Sequence, residues 1–277
     1  MTVLPMIPFF LGYLAQNTSN VTPSYIFHVQ IDTLISGEQE TRYDGGNFGM
    51  KFKLICQPYI YQSLKCHISK ITSSSPSMGP ALYDFFTPIV FTNIPCVINF
   101  DSKGATSYYL LKENVKDKEI VLEVFRFIGH QLSVGVDLTH WGYEFNAFED
   151  TVMGTCATMY RITQKKAFNY IKYFELVSLI PKASYIMKKN ETVLINKHRL
   201  GEYCSPQNGT ILGMILSPDL VMSNVTSKAE DSHVLMAYTQ HDFYTKSVNE
   251  YSLYEEQGTK FGFVQETINL KLGWIES

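Results

Sequence analysis

The chain has 277 residues, 45% of them apolar and 14% aromatic, with a formal net charge of −3. That length can bury a sizeable core, that composition excludes a disordered chain, and that charge gives no global attraction to nucleic acid. The 18 Tyr and 18 Phe favour strands, because aromatic rings pack well on a pleated surface.

At the N-terminus, Val3 to Ala15 is an uncharged apolar run of signal-peptide length, too short to span a bilayer. Residues 1–15 therefore read as a signal peptide, followed by one folded domain over 24–277. The N-x-S/T sequons at Asn17, Asn20, Asn190, Asn208 and Asn224 agree with passage through the secretory route. The chain is expected to be a secreted or ER-lumenal glycoprotein.

The first strands follow in order. "SYIFHVQIDTL" places Tyr25, Phe27, Val29 and Ile31 on one face at period two. "GMKFKLICQ" does the same with Met50, Phe52, Leu54 and Cys56, and "LKCHISKI" with Leu64, Cys66 and Ile68. Short connections between them predict an antiparallel meander. "TSSSPSMGP" is a loop, and two strands flank a Ser102–Gly104 turn.

The period then changes. In "NVKDKEIVLEVFRFIGHQL" the apolar residues Val115, Ile120, Val121, Val124, Phe127, Ile128 and Leu132 fall at helical spacing. Asn114 or Asp117 is the expected N-cap, and Gly129 weakens or ends the helix. Its polar face is thin, so other structure should cover most of it. The β pattern resumes in "GYEFNAFED", "EDTVMGTCATMYRIT", "FNYIKYFELV", "TVLINKHRL", "GTILGMILS", "SHVLMAYTQ" and "GFVQETINLKL".

The five cysteines, Cys56, Cys66, Cys96, Cys156 and Cys204, form no C-x-x-C pair. That argues against a structural zinc site and a thioredoxin-type centre. An odd count in a secretory chain leaves at most two internal bridges. The seven histidines have no metalloprotease spacing, and no G-x-S-x-G elbow or P-loop occurs. The chain is expected not to be an enzyme, and to need no metal and no cofactor.

These residues together resemble the amino-terminal β-barrel module of the large lipid-transfer proteins: the vitellogenins, apolipophorins, apolipoprotein B and the large subunit of microsomal triglyceride transfer protein. The segment from Tyr25 to Gln57 looks like the opening hairpin, "LKCHISKI" like the next strand with its cysteine, and the 114–132 segment like the family's Asn-led helix. "EDTVMGTCATMYRIT" is similar to the family's D-V-x-G-x-C-x-T-x-Y strand, matching at Gly154, Cys156, Thr158 and Tyr160. The resemblance implies an antiparallel β-barrel wrapped around one central helix, with Gly154 admitting a close neighbour. It also implies a partner for Cys156 some two dozen residues on, where this chain has no cysteine. Cys156 is therefore expected to pair outside that register, with Cys204 or an earlier cysteine, or to stay reduced.

By the same resemblance, the function is lipid transport, with this module docking a cell-surface receptor or a partner subunit. Lipid would be held only by the helical superhelix and amphipathic sheets that follow the module in the family. The alternative is a stand-alone secreted β-barrel that acts as an interaction protein without lipid cargo. Lys51, Lys53, Lys65, Lys165, Lys166, Lys197 and Arg199 form either a solvated outer face or a docking surface for an acidic partner.

Overall fold

The computed structural model describes residues 10–14, 23–37, 46–60, 63–74, 93–101, 104–115, 118–136, 143–166, 174–178, 191–205, 225–239 and 241–276. All five sequons have their Asn outside these residues, as do Phe85 to Phe91, Asp117 and the "GTILGMILS" segment.

The described residues form thirteen strands: β1 (Phe10–Leu14), β2 (Ser24–Gly37), β3 (Gly46–Pro58), β4 (Ser63–Ser74), β5 (Cys96–Asp101), β6 (Gly104–Leu110), β7 (Glu144–Thr151), β8 (Gly154–Lys166), β9 (Phe174–Ser178), β10 (Glu191–Cys204), β11 (Thr226–Tyr238), β12 (Phe243–Tyr254) and β13 (Lys260–Glu276). Helix α1 (Lys118–Gln131) lies between β6 and β7. Eleven strands form one sheet in the order β6-β5-β4-β3-β2-β13-β12-β11-β10-β8-β7, and every pair is antiparallel. β1, which falls within the expected signal peptide, pairs with β9 in a separate two-stranded sheet.

The meander expected from the first strands is present as β2 to β6. Alternation decides its faces: Tyr25, Phe27, Val29, Ile31, Met50, Phe52, Leu54, Cys56, Leu64, Cys66 and Ile68 are all buried. The last described strand, β13, pairs with β2 at the centre of the sheet.

The expected barrel does not close. β6 and β7 are the two edges of the sheet, and among the described residues they do not pair. The segment that follows α1 occupies the ground between them. Ser133 Oγ accepts from the Ala105 amide on β6 (2.9 Å), while the Val134 carbonyl accepts from the Tyr160 hydroxyl on β8 (3.2 Å). Side-chain bonds thus link regions that a closed ladder would join through backbone.

The helix is buried as its thin polar face requires. Val121, Val124, Phe125, Phe127 and Ile128 are buried, and α1 packs on β5, β6 and β12. Side chains of that size contribute roughly 1.5–3 kcal/mol each when fully buried. The sparse polar side supports itself locally, through an i,i+3 ion pair between Glu123 and Arg126. Asn114 is not the N-cap: it sits at φ 55° four residues before the first helical residue. Nor does Gly129 end the helix, which continues to Gln131. A Cβ there would overlap the Tyr108 ring, so the glycine serves close packing.

Candidate functional site

The motif segment is a hairpin rather than one strand. β7 ends at Thr151, Val152 and Met153 turn the chain, and β8 begins at Gly154. Gly154 has φ 119°, a region that L side chains rarely adopt, so a glycine is what closes this turn. From there Cys156, Thr158 and Tyr160 point inward together, each fully buried.

Across the inner face runs a row of polar residues in register. Thr158 on β8 faces Arg199 on β10, which faces Ser232 on β11. Ser232 faces Asn249 on β12, Asn249 faces Glu266 on β13, and Glu266 faces Thr33 on β2. All six are buried. The bonds follow the row: Arg199 Nε donates to Thr158 Oγ1 (3.2 Å), Arg199 Nη1 to Ser232 Oγ (3.0 Å), and Ser232 Oγ to Asn249 Oδ1 (2.8 Å).

This row is a seam between two apolar clusters. On one side lies the main core with α1, including Tyr160, Ile195, Val234, Ile268 and Ile31; on the other lie Met153, Cys156, Tyr251, Leu253, Phe261 and Val264. Because the side-chain period of a strand is two, a one-residue slip would drive the whole row into solvent and its neighbours inward.

Glu149 on β7 reaches into the seam. Its Oε2 accepts from Arg199 Nη2 (2.7 Å), Arg199 Nε (3.2 Å) and the Tyr160 hydroxyl (2.9 Å), and its Oε1 accepts from Lys197 Nζ (2.8 Å). Lys197 Nζ also donates to the Ser133 carbonyl (3.1 Å). Burial alone would raise the Glu149 carboxyl, but Arg199 and Lys197 hold it down to about 2. Lys197 shares one anion with a second cation. Burial with the Arg199 charge therefore outweighs Glu149 and lowers its ammonium to about 8. Burial and the Glu149 charge push the Tyr160 phenol well above its ordinary range.

The basic residues singled out in the sequence divide three ways. Lys197 and Arg199 are 2% and 6% exposed, so they are not part of an outer surface; alternation on β10 turns both inward, and Glu149 compensates them. Lys51, Lys53 and Lys65 do share the outer face of β3 and β4. Lys53 lies over the Trp274 ring at 4.3 Å and Lys65 near the Tyr59 ring at 5.9 Å. Lys165 and Lys166 sit exposed at the end of β8, with β2, β13, β12, β11 and β10 between them and that group.

Two disulfides staple the sheet, Cys56–Cys66 and Cys156–Cys204, and Cys96 is a buried free thiol. Cys156 thus takes the first of its open alternatives. Such bridges are what an oxidising compartment produces. Among the described residues no helix is long and apolar enough to cross a membrane.

Sequence reasoning missed Glu149, Ser232, Asn249 and Glu266. Only the "KHR" of Lys197 to Arg199 carried a signal, since charges at i and i+2 on a strand otherwise rich in apolar residues must share a face.

No protein-family model matches the chain, and no curated protein matches it. Among solved structures, one described as lipid–protein interactions in lipovitellin matches with a TM-score of 0.59 at 13% identity. The match covers 92% of this chain and 25% of the lipovitellin chain, so the present chain spans about a quarter of that protein's length. At that identity the likeness is one of fold: a large antiparallel sheet of the lipovitellin type. A CurK dehydratase mutant superposes only at a TM-score of 0.11 with 10% identity and adds nothing to the assignment.

Proposed function

We propose that this chain is a lipid-transport module of the vitellogenin type, which docks a receptor or a partner subunit instead of enclosing lipid within its own sheet. The observation that carries this reading is the lipovitellin-like fold extending over 92% of the chain. The inner face of the sheet supports it too, being filled by α1 and crossed by a row of buried polar and charged side chains, neither of which suits an acyl chain. On this reading the chain is not an enzyme, requires no cofactor, and works outside the cell. Lipid belongs to other segments of a longer product.

Docking then falls to the outer face, where Lys51, Lys53 and Lys65 present positive charge. The test has two arms. Native mass spectrometry of the purified chain should show no stoichiometric lipid. Binding to an acidic receptor repeat should weaken as salt rises, because exposed charges are screened within ~10 Å at 0.1 M, and should weaken further in Lys51→Glu/Lys65→Glu. Retained phospholipid, or salt-independent binding, would overturn the proposal.

A further inference from the structure

The outer face of β10 and β11 carries a second constellation, independent of the lipid-transport reading. Alternation that turns Lys197 and Arg199 inward turns His198 outward, and on β11 it turns Asp231 and His233 the same way. His198 and His233 are direct cross-strand partners, with rings stacked at 4.3 Å and 5° from parallel. Asp231 precedes His233 by two residues, so its carboxylate lies along the same edge of both rings.

Each histidine Nε2 faces one oxygen of that carboxylate: His198 to Oδ1 at 3.0 Å and His233 to Oδ2 at 2.9 Å. One donor atom from each residue lies within 4.8 Å of the others. We propose that His198, Asp231 and His233 form a binding site for a divalent transition cation of the zinc class, with water completing the coordination.

The chemistry fits on three counts. Two borderline imidazoles beside one carboxylate make a donor set that suits such an ion and not calcium or magnesium, which take all-oxygen shells. Zinc sites with three protein ligands keep a fourth position open, and here that position faces solvent, since the His233 side chain is 61% exposed. The third count is support. The Ser232 amide donates to Asp231 Oδ1 (2.9 Å), and a bulge between Ala229 and Asp231 breaks the β11–β12 register just before the ligands.

With zinc bonds of ~2.0–2.1 Å, tetrahedral donors stand slightly further apart than these hydrogen-bonded pairs, so the ion replaces the His–Asp bonds after small rotamer changes, which partly exposed side chains on a rigid ladder permit. Both imidazoles bind in the neutral form, with the proton on Nδ1. Arg161 and Lys246 line the 460 Å³ depression beside the histidines. Their positive charge lowers the affinity below that of a site without them.

The experiment is calorimetric titration of the metal-stripped full chain with Zn²⁺, repeated with Co²⁺ for its absorption bands. The expected result is one equivalent bound, with affinity falling at least ~10-fold in Asp231→Asn and lost in His198→Ala/His233→Ala. His67→Ala, a histidine on β4 away from the cluster, should bind like the parent. Circular dichroism checks the fold of each variant, and His233→Gln replaces the double variant if that fails to fold. No binding by the parent chain, or unchanged stoichiometry and affinity in the histidine variants, would overturn the proposal.

Discussion

Gly135 and Glu149 are fitted to each other: Gly135 sits at φ 89°, and a Cβ built on it would overlap the Glu149 carboxylate. The absent side chain leaves room for the anion that compensates Lys197 and Arg199. Gly135→Ala should therefore cost both backbone strain and a displaced ion pair, together roughly 3 kcal/mol or more. Gly258→Ala is the control. It has a similar φ of 82° but nothing within 4 Å, so only the strain of about 1–2 kcal/mol applies. Denaturant unfolding of both variants checks this, and equal losses would remove Glu149 from the account.

Acid should destabilise the fold in two stages. Burial holds the His130 imidazole down to about 4, from an ordinary value of 6.5. The unfolded chain thus takes up that proton more readily, and stability falls as pH drops from about 6.5 to about 4. Glu149 is held at about 2 against an ordinary 4.5, so its contribution is present above 4.5 and is lost as pH falls towards 2. Urea midpoints measured across pH should show both stages. His130→Asn should flatten the first and leave the second.

The strand meander and the helix were legible because their inward residues are apolar and strictly alternating or helically spaced. β12 was not. Its inward residues include Thr245, Ser247 and Asn249, all buried and polar, so the strand that crosses the seam carries no sustained hydrophobic alternation. The seam itself is invisible in one dimension, since Glu149, Arg199, Asn249 and Glu266 meet only through register across separate strands. Openness of the sheet was equally hidden: it depends on which side-chain bonds join the segment after α1 to β6 and β8.

The two disulfides should differ in their effect on stability. Cys156–Cys204 closes a loop with a sequence separation of 48, and Cys56–Cys66 one of 10. Chain entropy alone assigns about 4 kcal/mol to the first and about 3 kcal/mol to the second. Cys156→Ala/Cys204→Ala should thus lower stability more than Cys56→Ala/Cys66→Ala. Non-reducing peptide mapping should recover these two bridges. Cys96, whose thiol burial pushes up to about 12, should react with iodoacetamide only after unfolding.

Tyr160 separates the packing contribution of the seam from its hydrogen bonding. Its ring stacks on Phe145 at 4.9 Å and 6° from parallel, and its hydroxyl donates within reach of both Glu149 Oε2 and the Val134 carbonyl. Tyr160→Phe keeps the ring and leaves Glu149 bonded to Arg199 and Lys197. The loss should be that of one hydrogen bond to a charged group, about 1.5–3 kcal/mol. Tyr160→Leu also gives up the stacked ring and should cost at least about 1 kcal/mol more. If the two variants unfold at the same denaturant concentration, the stack contributes nothing. If Tyr160→Phe matches the parent, the hydroxyl does not support the bridge between β8 and the segment after α1.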